Sequence, residues 1–266
     1  MAEVEPEPQR ETRIEVTDGA LIPEKGEKPT FSAWRISFFG AIILLVLLPI
    51  LHPDPYWKIL LFIPDGIART FEVTVLAICF AVVVGLIAGV GRISRITIVN
   101  RIATVYVEVI RGIPLLVQLF SIYYALGRLV HVPDIFAAII AMTVCYGAYI
   151  GEIFRAGIQS IPKGQMEAAI ALGLTRGQAL RRVILPQTVK VVLPPLGNEF
   201  IALLKDSSLV SILAVSDLLR RGREYAARTF EYFEVLTIVA LVYLVMTLFF
   251  SRMVGFMEER LRRRAR

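Results

Sequence analysis

Runs of about 20 apolar residues, the length that crosses the hydrocarbon core of a bilayer, constrain this fold more than any other feature. They fall at 36–52, 67–91, 103–129, 135–154, 189–204 and 232–254, separated by charged or proline-containing stretches, the longest between 154 and 189. The chain has 266 residues, of which 56% are hydrophobic and 20% charged. An ordinary soluble domain is about 45–50% apolar and about one quarter charged. A soluble core large enough to absorb this excess does not fit within such a chain. The expected fold class is therefore an all-α integral membrane protein, a polytopic bundle of about six transmembrane helices. The run at 36–52 is the shortest and is closed by Pro53 and Pro55. The run at 103–129 carries Glu108, Arg111 and Pro114 in its first half but is read as one span.

The formal charge of +6 raises the question of nucleic acid. The basic residues, however, flank the spans, as the positive-inside rule predicts, and no basic patch with interleaved aromatics stands apart from a span. Six spans put both termini on one side. That side collects Arg10, Arg13, Lys25, Lys28, Arg35, Arg92, Arg95, Arg101, Lys163, Arg176, Arg181, Arg182 and the C-terminal arginines. Its opposite keeps Lys58, Arg69, Arg128, Lys205 and a cluster from Arg220 to Arg228 that runs against the bias. Such a cluster fits a helix lying along the interface or folding back into the protein.

Residues 1–35 form a tail whose first 30 residues are rich in Glu, Pro, Lys and Arg. They are expected to be disordered, because they cannot bury enough apolar surface to offset ordering entropy. The tail does not read as a secretory signal, since no small-residue cleavage site follows the first apolar run. Cys79 and Cys145 lie inside apolar runs and read as packing residues; His52 and His131 end spans and read as interfacial. Neither pair makes a metal set, and no metal site is expected. No GxxxxGK[ST] is present, so the chain does not cradle ATP phosphates by that route.

Between the fourth and fifth runs lies a polar stretch with helical punctuation. Pro162 opens a segment of good helix formers, and Gly173 closes it. Thr175 can cap a second helix, with Gln178 completing a capping box, and that helix is expected to end at Leu185-Pro186. A spanning protein needs no such helical hairpin for itself, which points to a soluble partner.

The spacing here resembles a known family. Glu167-Ala168-Ala169, three residues, Gly173, nine residues, Val183, one residue and Leu185-Pro186 match the EAA loop of ABC importer permeases, apart from Val183 where that pattern has Ile. Two more stretches, from Tyr106 through Gly112, Pro114 and Gln118, and from Asn198-Glu199-Phe200 to Asp206-Ser207-Ser208-Leu209, resemble the polar-amino-acid permeases of the histidine and glutamine type. The resemblance covers about 66–260 and implies a five-helix permease core with the EAA loop at 160–187; the helix at 36–52 and the tail before it depart from it.

The resemblance implies a non-catalytic subunit that forms half of a translocation pathway for polar amino acids in a prokaryotic cytoplasmic (inner) membrane, multi-pass and with both termini cytoplasmic. It implies cytoplasmic ATPase subunits carrying ATP and Mg, a second permease subunit, identical or homologous, and an extracytoplasmic solute-binding protein. The chain itself would bind no cofactor and no nucleic acid; its other partner is membrane lipid. Glu167, Ala168, Ala169, Gly173, Leu185 and Pro186 would couple it to the ATPase, the alanines by keeping a helix face thin. An ion-driven secondary transporter is the alternative. It would need an internal repeat or a central proton relay, and inspection finds neither.

Ionisable groups inside spans are costly and mark functional sites. Glu108 and Arg111, at i and i+3, can form a structural ion pair or meet substrate. Gln118 can contact a substrate head group or bond a neighbouring helix. Glu199 and Asp206 share a helical face, with Asn198 and Lys205 beside them and Ser207 following. The Lys205-Asp206-Ser207-Ser208 stretch is expected to break the helix and free backbone groups for a ligand. This face either lines the pathway or caps and packs.

Overall fold

A computed structural model describes residues 33–129 and 132–263. The expectations for the tail before residue 33 and for His131 lie outside these residues. Among the described residues there is no strand, and the chain is a succession of helices. The first, α1 (Ala33–Leu51), stops before Pro53, which opens α2 (Pro53–Phe62). Pro64 then starts α3 (Pro64–Arg92), where a residue without an N–H leaves no donor orphaned, and Asp65 and Arg92 sit at the ends that a helix dipole favours for their charges.

The third expected span is not one helix. α4 (Thr97–Gly112) and α5 (Leu115–Leu129) meet at an angle of 112°. Pro114 is the cause. The residue before a proline is pushed out of the helical region, and Ile113 is accordingly extended, with φ −106° and ψ 137°. The 16 residues of α4 and 15 of α5 reach about 24 and 22 Å, so neither crosses a bilayer alone.

α6 (Asp134–Gln159) is the central helix. Of its most apolar stretch 67% is buried, against 11% for α1. It packs on α3 along small residues. A Cβ on Gly85 would lie 2.5 Å from Ile150, one on Gly89 would lie 2.6 Å from the Gly151 carbonyl, and one on Gly147 would lie 2.7 Å from Val84. Gly85 and Gly89 thus face Gly147 and Gly151, two GxxxG pairs in mutual contact, which is how helices approach closely where lipid removes the hydrophobic drive.

After α7 (Lys163–Ala171), a helical turn, α8 (Arg176–Ala179), passes through a π-helical segment (Leu180–Ile184) into α9 (Leu185–Asp206). The expected stop at Leu185-Pro186 does not occur. The Leu185 N–H reaches back five residues to the Leu180 carbonyl. This widened turn accommodates Pro186, which in a regular α-helix would clash with the carbonyl four residues earlier. α9 does end at Asp206, within the stretch expected to break it, but the chain does not open there. It tightens into a 3-10 helix (Ser207–Leu213) that ends at Ala214 in the left-handed region, φ 67°.

Asp217 then caps α10 (Leu218–Thr229), accepting from the N–H groups of Leu219 and Arg220 at 3.2 and 3.0 Å. It is fully buried and also accepts from the Tyr243 hydroxyl at 3.3 Å. α11 (Tyr232–Arg263) closes the chain. Leu218, Gly222 and Ala226 form the buried stripe of α10, so the arginine cluster occupies the rest of an amphipathic helix packed on α2, α3 and α11.

Among the described residues four helices, α1, α3, α6 and α11, are long and apolar enough to cross a membrane, and the bent α4–α5 pair makes a fifth span if counted as one. α9, which holds the fifth expected span, is not among them, carrying Lys190, Asn198, Glu199 and Lys205 along its length. Cys145 is buried as expected; Cys79 is exposed on α3, contrary to a packing role.

Candidate coupling loop and polar pathway

The loop at 160–187 is built from matching caps. α7 ends in a Schellman motif. Gly173 N–H donates to the Ile170 carbonyl at 2.9 Å and Leu174 N–H to the Ala169 carbonyl at 3.2 Å, while Gly173 takes φ +85°. Thr175 then forms the predicted capping box. Its hydroxyl accepts from Gln178 N–H at 3.3 Å, and the Gln178 side chain accepts from Thr175 N–H at 3.0 Å. Gln187 donates to Gln165 at 3.3 Å, which ties the start of α9 back to α7.

The two alanines of the motif do different work. Ala169 is buried, turned inward to the following segments, whereas Ala168 and Glu167 are exposed. Only Ala168 is therefore available to thin an outward face. At the tip, Leu172 is 85% exposed and Ile170 40%, with Gly173, Arg176, Arg181 and Arg182 exposed around them. Leu185 and Pro186 are also exposed. The result is an apolar tip ringed by cations and one carboxylate, outside every span.

A polar bracket that the sequence reading missed supports this loop. Glu152, near the end of α6, accepts from Arg92 at the end of α3 and from Arg155. Arg155 also donates to Gln159 at 2.6 Å. Asn100 donates to the Arg92 carbonyl, bringing the start of α4 into the same cluster. A carboxylate one turn before an arginine, close to a span end, was the readable signal.

Inside the bundle the expected pair does not form. Glu108 is exposed and makes no ion pair with Arg111. Arg111 instead lies over the Tyr149 ring of α6, 5.6 Å from its centroid. Gln118 is 4% exposed. Its Nε2 donates to the carbonyls of Ile110 and Ile113, the latter at 2.6 Å, and its Oε1 accepts from Cys145 at 2.9 Å. It thereby satisfies acceptors that the α4–α5 break leaves without helical partners, and with both N–H groups committed the buried amide is not presented to a substrate.

The Glu199–Asp206 face does form, because α9 is continuous to Asp206. Tyr146 donates to Asp206 at 2.7 Å. Glu199 is half-buried, within electrostatic reach of Asp206 and Arg111, and accepts no hydrogen bond among the described residues. Asn198 and Lys205 are exposed on the neighbouring face, while Ser207 is buried and returns its hydroxyl to the Leu204 carbonyl at 2.8 Å. Arg111, Tyr146, Tyr149, Glu199 and Asp206 therefore form one polar cluster contributed by α4, α6 and α9. Tyr146 and Tyr149 were missed, being indistinguishable by letter from core aromatics. Among the described residues no group of three or more His, Cys, Asp or Glu is placed to hold a metal.

The family model for binding-protein-dependent transport system inner membrane components matches residues 81–263. The glutamine transport system permease protein GlnP of Escherichia coli (strain K12) is 38% identical over 209 residues, covering 77% of this chain and 95% of that protein. The L-cystine transport system permease protein TcyB of Bacillus subtilis (strain 168) is 40% identical over 210 residues, covering 78% and 88%. Among solved structures, an amino acid ABC transporter crystallised with histidines superposes with a TM-score of 0.73 at 42% identity, covering 76% of this chain and 95% of that one. The inward-facing MetNI methionine ABC transporter superposes with a TM-score of 0.65 at 22% identity, covering 78% and 98%, a likeness of fold alone. Extended matches over most of both chains, joined to the loop and bundle geometry described above, establish that the chain belongs to the family of binding-protein-dependent transport system inner membrane components.

Proposed function

We propose that the chain is the permease subunit of an ATP-binding-cassette importer for polar amino acids. It is a multi-pass inner-membrane protein. Family membership sets aside the ion-driven alternative and leaves ATP hydrolysis to a separate ATPase subunit, which in this reading carries the ATP and Mg. The observation that carries the coupling role is the tip formed by Glu167, Ala168, Leu172 and Gly173, an exposed apolar surface that lies in no span and is locked by caps on both sides. An apolar surface of this kind, outside the bilayer, calls for a protein partner. Leu185 and Pro186 set the exit of the loop through the π-helical turn, so the loop leads directly into α9 and its carboxylates.

In this reading both termini and the loop lie in the cytoplasm, the permease core spans 66–260, and α1 is an addition to it. A second permease subunit, identical or homologous, completes the pathway, and an extracytoplasmic solute-binding protein delivers the substrate. Glu199 and Asp206 present negative charge toward the substrate α-ammonium or a cationic side chain, while Tyr146 and Tyr149 position Asp206 and Arg111. Gln118 and Ser207 leave the pathway for structural work; Asn198 and Lys205 flank it.

Uptake in proteoliposomes holding the complete importer tests this assignment. Removing the partner of a charged group costs about 1.5–3 kcal/mol, roughly tenfold or more in rate. Glu199→Gln with Asp206→Asn should therefore lower amino-acid uptake at least about tenfold while the ATPase still copurifies. Unchanged uptake and unchanged substrate stimulation of ATPase would remove both carboxylates from the pathway.

A further inference from the structure

The arginine cluster that violates the positive-inside bias borders a cavity. About 440 Å³ in volume, it lies between the 3-10 helix, α10 and the first residue of α11, and its walls include Ser211, Ile212, Arg220, Arg223, Glu224 and Tyr232. Charge is unevenly matched there. Glu224 accepts from Arg220 at 3.1 Å through one oxygen and from Arg221 at 3.1 Å through the other. Arg220 also donates to the Ser211 carbonyl at 3.4 Å. Arg223 is exposed and has no hydrogen-bond or ion-pair partner among the described residues. With both Glu224 oxygens occupied, the cavity retains the charge of one unpaired guanidinium. Ser211, which is 4% exposed, adds a buried hydroxyl with no hydrogen-bond partner, an unusual state for a buried polar atom.

The setting defines what fills it. The cavity opens beside the start of the α11 span, where Phe230 is 84% exposed, Tyr232 49% and Phe233 76%. Exposed aromatics at a span end mark headgroup depth. Ile212, 46% exposed, adds an apolar edge. One uncompensated guanidinium above an apolar, aromatic rim matches a phosphodiester monoanion whose glycerol and acyl portions continue into the bilayer. Arginine is also the residue that pairs best with phosphate.

We propose that this cavity is a binding site for the phosphate headgroup of an anionic phospholipid, held by Arg223 and Arg220. Occupancy by a lipid at this position would clamp α10 against the 3-10 helix that directly continues α9, the helix bearing Glu199 and Asp206. It also supplies a reason for positive charge on the side of the membrane where the bias disfavours it.

Native mass spectrometry and thermal unfolding of the full-length chain, purified in detergent with its ATPase, test the site. The probes are phosphatidylglycerol, phosphatidylcholine and inorganic phosphate, and the proteins are the natural chain, Arg223→Gln and the exposed loop variant Arg95→Gln. Arg223 has no partner inside the chain, so its replacement leaves the fold intact. One interfacial arginine contributes about 1 kcal/mol toward an anionic lipid. Retention of phosphatidylglycerol should therefore fall about fivefold in Arg223→Gln and stay unchanged in Arg95→Gln, with phosphatidylcholine retained more weakly by the natural chain. Equal phosphatidylglycerol retention in Arg223→Gln, or equal retention of the two lipids, would overturn the proposal. So would a thermal shift of the same size from inorganic phosphate alone, which would assign the cavity to a free anion. If Arg223→Gln kept the lipid but lost stimulation of the ATPase by a solute-binding protein, the cavity would belong to a protein carboxylate instead.

Discussion

Both ends of the Gln118 amide are occupied within the chain, and the reason lies four residues earlier. Pro114 stops α4, and the carbonyls near that stop have no following N–H to accept from, so a side-chain donor one turn into α5 supplies them. A leucine there would fill the volume but leave buried acceptors bare, at about 1–2 kcal/mol. Gln118→Leu should accordingly lower the melting temperature of the purified chain, whereas Gln118→Glu, which keeps an acceptor for Cys145 but loses the donor, should fall at least as far. A variant melting with the natural chain would contradict the structural role. Single side chains are where the sequence was least legible. Gln118 carried two readings until its neighbours were known. Glu108 and Arg111 had a pairing interval but point to different surroundings, because Tyr149 of α6 offers Arg111 a ring face that helical spacing cannot disclose.

Helix pairs are set by small residues more than by large ones. The α3–α6 contact depends on backbone meeting backbone, and a methyl group on Gly89 would sit 2.6 Å from the Gly151 carbonyl and 2.7 Å from the Phe154 Cβ. Neither neighbour is the free end of a flexible chain. Gly89→Ala should thus destabilise the bundle by about 1–3 kcal/mol, as overpacking does. Gly40→Ala, with nothing within 4 Å of its Cβ position, should be neutral or slightly stabilising because alanine is the better helix former. Thermal unfolding of the two variants in detergent makes the comparison; equal melting would remove the close approach as a determinant of the fold. The spans at α1, α3, α6 and α11 were legible from apolar length. The bend at Ile113–Pro114 was missed, the run being read as one span, although the proline was visible and its effect on the preceding residue is steric. The two GxxxG spacings were equally present in the letters. Their meaning, though, depends on facing one another, and a one-dimensional reading does not pair them. The continuous path from α8 into α9 was concealed differently, because Pro186 signals a stop and only the widened π turn cancels it.

On the scale of the whole molecule, two polar sites sit at different depths of one helical body. The α6–α3 pair gives it a rigid spine, and the Glu152 bracket joins the ends of that spine just before the loop. From the loop, α8, the π-helical segment and α9 run unbroken to the carboxylate face. Displacement of the loop is therefore carried along this helical path toward Glu199 and Asp206, past Pro194 and Pro195 inside α9, where a helix can bend. α1 stands apart from this path. It is held to α11 by the Trp34 indole on the Leu248 carbonyl at 3.0 Å and by Arg252 beside the Trp34 ring, and it precedes the region that the family model matches.

The central claim is that the tip at Gly173 receives the ATPase, and copurification from detergent with and without Gly173→Asp tests it most directly. Aspartate is, with asparagine, among the residues that best tolerate a positive φ, and its Cβ would meet nothing within 4 Å. The variant carries the strain of a side chain at positive φ, about 1–2 kcal/mol, and places a carboxylate on the docking surface; Gly173→Asn, with the same strain and no charge, is its control. The account predicts that an ATPase subunit copurifies with the natural chain and with Gly173→Asn and is lost from Gly173→Asp, the two variants melting together. Equal recovery of the ATPase with the natural chain and Gly173→Asp, or its absence from both, would contradict it.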